Sequence, residues 1–150
     1  MSIRAMIAAT ALVFAASAAP AQQGGETPAP ENAAVYFVNL GNGDTVSSPV
    51  TVVFGLSGMG VAPAGTEKEN TGHHHLLIDR PAFGKGEDGM EEMMYGLPSD
   101  EHHRHFGGGQ TEVTLDLAPG PHTLQLVLGD AGHVPHSTPV MSEQITITVE

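Results

Sequence analysis

Through the C-terminal half of this chain, apolar residues recur at every second position and nowhere keep to a helical period. Leu124, Leu126 and Leu128 alternate within 122–128 (HTLQLVL). Val113, Leu115 and Leu117 do the same within 111–117 (TEVTLDL), and Ile145, Ile147 and Val149 within 144–149 (QITITV). Period two is the repeat of a strand whose side chains point alternately to opposite faces. Further strand-like runs lie at 35–40 (VYFVNL), 50–56 (VTVVFGL) and 73–79 (HHHLLID), with a short extended piece near Val46. Between them stand turn signals such as 41–44 (GNGD) and Pro119-Gly120. Short strands broken by Gly/Pro turns predict an all-β fold, an immunoglobulin-like antiparallel β-sandwich, with a closed barrel as the alternative. One stretch breaks the rhythm. Residues 80–109 are rich in Gly, acidic residues and Met, with room for a single helical turn at 91–95. Loops this long inside a compact domain are usually functional.

The amino-terminal segment is of a different kind. Arg4 precedes an uncharged apolar run at 5–16 (AMIAATALVFAA), and the small residues Ser17, Ala18, Ala19, Pro20 and Ala21 follow. That order is the pattern of a cleavable secretory signal. The run is also short of the roughly 20 residues a membrane span needs. Cleavage after Ala21 fits the A-x-A rule through Ala19, and cleavage after Ala18 fits it through Ala16. The expected organisation is a signal peptide at 1–21, a disordered Gly/Pro-rich leader at 22–33, and one β-sandwich domain at 34–150. Such a protein is destined for the periplasm or for secretion.

Charge narrows the partners. Seventeen acidic residues against five basic ones give a formal net charge of −12. A surface of that sign repels phosphate backbones and anionic headgroups, so neither nucleic acid nor membrane is an expected partner, whereas cations are attracted. The chain has no cysteine. Thiol nucleophiles, thiolate-bound zinc and cysteine-ligated copper are thereby excluded.

Nine histidines remain, and they are clustered. His73, His74 and His75 open one strand. On a strand, residues two apart share a face, so His73 and His75 form a two-nitrogen claw while His74 points the other way. Burying Leu76 and Ile78 takes His74 inward with them and leaves His73, His75 and Leu77 on the opposite face. A second claw is His133-Val134-Pro135-His136, stiffened by its proline. His105, ahead of Phe106 and three glycines, is a fifth candidate. His102 and His103 read as solvated, and His122, opening a strand after a turn, reads as a hydrogen-bonding residue. Neutral imidazole suits copper and zinc, with Asp79 and Asp130 near enough in sequence to complete or orient a shell. Because a ligating histidine must be neutral, metal affinity is expected to fall below about pH 6.5. Met59, Met90, Met93 and Met94 could supply thioethers, although a loop methionine is more often a gap filler.

Four blocks carry a resemblance: 70–79 (NTGHHHLLID), 105–112 (HFGGGQTE), 117–130 (LAPGPHTLQLVLGD) and 133–143 (HVPHSTPVMSE). Together they resemble the exported bacterial family catalogued as domain of unknown function forty-three ninety-nine, over nearly everything from Ala34 onward. The resemblance implies a periplasmic one-domain protein. It places His73 to His75, His105, His122, His133 and His136 within family motifs, and makes 86–97 look like an insertion.

Two functions follow from the residues. The first is a non-enzymatic periplasmic metal-binding protein for copper or zinc, used in buffering or delivery, its ligands drawn from His73, His75, His105, His133 and His136. Its partners are the metal ion and, for delivery, another periplasmic protein. The second is an immunoglobulin-like interaction or structural module whose histidines bind no metal. An enzyme has less behind it. Ser57, within 55–59 (GLSGM), fails the nucleophile-elbow pattern, and only a three-histidine site with a bound water would carry hydrolysis.

Overall fold

The structure, a computed structural model, describes residues 25–150. The expected signal peptide at 1–21 and the first residues of the leader lie outside the described residues. The elements in chain order are β1 (Ala34–Phe37), β2 (Thr45–Val46), β3 (Val50–Ser57), β4 (Gly60–Val61), β5 (Thr71–Ile78), α1 (Gly89–Met94), β6 (His103–His105), β7 (Glu112–Leu115), β8 (Gly120–Gly129) and β9 (Ile145–Val149). They form two sheets. The smaller has the order β1-β3-β7, and the larger β2-β9-β8-β5-β4, with β6 also paired to β5. The long pairings are antiparallel, and the two-residue strands β2 and β4 run parallel to β9 and β5. Two separate sheets make this the antiparallel sandwich that the turn spacing predicts.

Alternation decides what fills the sandwich. From the larger sheet come Leu76 and Ile78 of β5, Leu124, Leu126 and Leu128 of β8, and Ile145 and Ile147 of β9. Val50, Val52 and Phe54 of β3 and Leu115 of β7 meet them from the smaller sheet. The Phe54 ring lies 5.2 Å from that of His74 and 4.8 Å from that of Phe106, so His74 does point inward with the aliphatics.

The opposite face of the larger sheet is covered as well. Leu77 and Val127 on that face pack with Phe83, Met93 and Leu97 from the long excursion. The amide of Phe83 donates to Gln125 Oε1 at 2.7 Å, and Arg80 pairs with Glu92 of α1. The helical turn expected at 91–95 is α1, whose buried side packs this cover down. Consequently Gly72 through Ile78 are buried on both faces of the strand. Burying each large apolar side chain here is worth about 1.5–3 kcal/mol, enough to seat a loop with little regular structure.

Two expectations need correction. Residues 25–33, assigned by composition to a disordered leader, lie against the loop that follows β8. Gly25 N donates to Pro135 O at 2.8 Å, Ser137 N to Thr27 O at 2.9 Å, and the Thr27 hydroxyl to Asp130 Oδ2 at 2.6 Å. Pro and Gly lower helix and strand propensity, but they do not prevent such irregular docking. His103 is not solvated. It is fully buried in β6, opposite Leu77 and under the excursion, because β6 adds to β5 where sequence alternation gave no strand.

Candidate metal centre

Register brings the histidines together. Across β5 and β6, His75 stands opposite His105. Across β5 and β8, His73 stands opposite Gly129. By parity His73, His75, His103 and His105 share the outer face of the larger sheet. His133 then enters from the loop after β8. One nitrogen each of His73, His75, His105 and His133 falls within 4.8 Å of all the others. His73 and His75 are fully buried, while His105 and His133 are half-buried and form the side facing outward.

The room for these rings comes from glycine. A Cβ on Gly129 would stand 2.9 Å from His75 Nε2, and one on Gly107 would stand 2.6 Å from His105 Nε2. These two positions escape a search for ligand-type residues. The only sequence cue to them is a glycine ending the apolar strand and a glycine run after His105-Phe106.

The contacts among the rings cannot all be ordinary hydrogen bonds. His73 Nε2 lies 3.1 Å from His75 Nε2 and 3.2 Å from His133 Nδ1. A ring nitrogen either carries one proton or offers one lone pair, so it cannot serve both neighbours fully. Three lone pairs pointed at a common ion remove the conflict. Two nitrogens bound to tetrahedral zinc at 2.0–2.1 Å stand roughly 3.3 Å apart, close to both contacts. Burial keeps these rings ready for that role. It lowers the pKa of His73 to about 4, helped by His105 and His133, against a raising influence from Asp130. His75 is lowered to about 2, by burial first and then by the neighbouring imidazoles. Burial and His133 lower His105 as well. His73, His75 and His105 are therefore held toward the neutral form without help from a metal.

The remaining histidines are placed elsewhere. His136 is fully buried beside the backbone of Leu128 and Thr71, outside the group of four, and neither ring nitrogen has a well-formed hydrogen bond. His103 lies next to His75, its Nδ1 3.5 Å from Arg80 Nη1. His122 donates from Nδ1 to Asp79 Oδ2 at 2.7 Å and from Nε2 to Ala118 O at 2.8 Å, the hydrogen-bonding role expected of it. Two acceptors on one ring require the imidazolium form. Asp79 is thereby committed to His122 and to the Thr123 amide, away from the cluster. Met93 is a packing residue, and Met90 and Met94 are exposed.

A two-sheet β protein with a tetrad of imidazoles on the outer face of one sheet is the class that fold and site define. Residues 52–150 match the family model described as Domain of unknown function (DUF4399), and the chain belongs to that family. The match takes in all four clustered histidines. No curated protein and no solved structure matches the chain.

Proposed function

We propose that this protein is a non-enzymatic metal-binding protein of the periplasm, taking up copper or zinc for buffering or delivery. The observation that carries the reading is the double contact at His73 Nε2, which a shared ion satisfies and hydrogen bonding does not. Supporting it are an acidic chain that attracts cations and the lack of cysteine in a chain that begins with an export-type segment. Four imidazoles close a site suited to storage and transfer, whereas catalysis needs a position left to water. His105 and His133, half-buried, form the side from which an ion or a receiving protein reaches the centre.

The test is elemental analysis of untagged protein, with titration by Zn(II), Cu(II) and Cu(I). Substitution of His73 and His75 together by Ala should lower affinity by orders of magnitude. Substitution of the exposed His102 should leave it unchanged. A wild-type protein that takes up none of these ions would hand the cluster to the alternative, a structural or interaction module.

A further inference from the structure

We infer that Asp130 is the positioning residue that sets this site's affinity, by locking the loop that presents His133. This rests on the metal reading of the four-imidazole cluster. His133 is the one member of the cluster outside a strand, and its backbone is left-handed, at φ 65°. A non-glycine residue there needs outside support. Asp130 supplies it from both sides. Its Oδ1 accepts the amides of Gly132 at 2.8 Å and Val134 at 3.0 Å, the two neighbours of His133. Its backbone carbonyl accepts the His133 amide at 3.1 Å, and its own amide donates to Val134 O at 2.8 Å. The second carboxylate oxygen is held by the Thr27 hydroxyl. With both oxygens committed, Asp130 is not among the residues that offer a ligand atom to the cluster.

Thr27 links this lock to the amino-terminal segment, which docks on the same loop at Pro135 and Ser137. From the opposite side, Leu97 N donates to His133 O at 2.7 Å. The strand-borne histidines are fixed by the sheet, so the loop geometry around His133 is the adjustable part of the site. Residues that orient a ligand without touching the metal typically contribute 10–100-fold to its affinity.

The experiment is a double-mutant cycle read by Zn(II) competition titration and by the visible spectrum of the Co(II) form. D130A should weaken Zn(II) binding by about 10–100-fold and move the Co(II) spectrum toward that of H133A. D130N keeps an oxygen able to accept both amides, so it should stay within about a few-fold of wild type. In an H133A background D130A should cost almost nothing more, since non-additivity marks residues that act together. T27V, which leaves the Asp130 Oδ1 contacts in place, provides a milder perturbation should D130A fold poorly, and should still accelerate Zn(II) loss to a chelator. Equal losses from D130A in both backgrounds would overturn the inference. So would a D130N as damaging as D130A, or tight Zn(II) binding indifferent to D130A and T27V. A wild type that binds neither Zn(II) nor Cu(II) nor Cu(I) removes the metal reading itself, and this inference with it; one that binds copper alone is put through the same cycle by copper titration.

Discussion

At the scale of single residues, the site depends as much on what is missing as on what is present. Gly129 and Gly107 leave the space that the His75 and His105 rings occupy. G129A should therefore displace His75 and weaken metal binding by at least about 10-fold while the β-type circular dichroism persists, and isothermal titration would read the difference. Titration adds a second residue-level outcome. The sequence leads one to expect binding to fail below about pH 6.5. In the fold, burial has already lowered His73 to about 4 and His75 to about 2. Protons compete with the ion at these two residues only at lower pH, so uptake should persist at pH 5.5 and release few protons from them there. Proton release measured at pH 5.5 in two buffers of different ionisation enthalpy checks this, and release approaching about one proton from each of His73 and His75, as unshifted imidazoles would give, would contradict it.

At the scale of elements, the contribution of β5 is legible in the sequence and that of β6 is not. The His-x-His spacing and the parity of Leu76 and Ile78 are enough to place His73 and His75 on one face. What parity does not reveal is that this second face is buried too, because Phe83, Met93 and Leu97 come from a segment without a period. Strand β6 is three residues of His, Arg and His, with no apolar alternation to mark it. Its partner strand imposes the extended form, and His103 is buried as a result. Likewise His133 and His136 look equivalent in a His-x-x-His spacing, yet only the ring of His133, on a left-handed backbone, reaches the cluster. At the far end, Asp79 ties the close of β5 to the start of β8 through His122 and Thr123. Burial alone would lower the His122 pKa, but the Ala118 carbonyl and the Asp79 carboxylate raise it overall. A raised histidine stabilises fully below its unfolded value of 6.5 and loses that contribution as pH rises through its folded value. D79N should remove this dependence, which thermal melts between pH 6 and 9 would show as a flatter upper limb.

At the scale of the whole molecule, the buried histidines make the apo fold sensitive to acid. His73, His74 and His103 fall from 6.5 to about 4 on folding, and His75 to about 2, in each case first through burial. Below pH 6.5 the unfolded chain binds protons that the folded one refuses, so stability falls with pH. The loss runs from about 6.5 to about 4 for the first three and continues lower for His75. H74L places an aliphatic beside Phe54 without a titrating ring, and should give a shallower decline in urea midpoint from pH 7 to 4.5 while Zn(II) uptake is kept. An unchanged decline would mean that His74 is not one of the groups responsible. On the proposed metal reading Zn(II) would bind the assembled site and not the open chain, so an excess of 100 times Kd should add about 2.7 kcal/mol of stability. Calorimetry before and after chelation reads that increment.

The four imidazoles come from three separate stretches of chain: the start of β5, the end of β6, and the loop beyond β8. An ion held among them would close two large rings of backbone, one containing the excursion with α1 and the other containing β7 and β8. In a chain without cysteine, that is the topological work of a pair of disulfides, with the difference that a chelator can undo it and an ion can restore it. Loading state would then be written into the mechanical integrity of the domain. A cut within residues 79–102 would leave the two sides of that segment joined through the ion in the filled form, and without that link in the empty one.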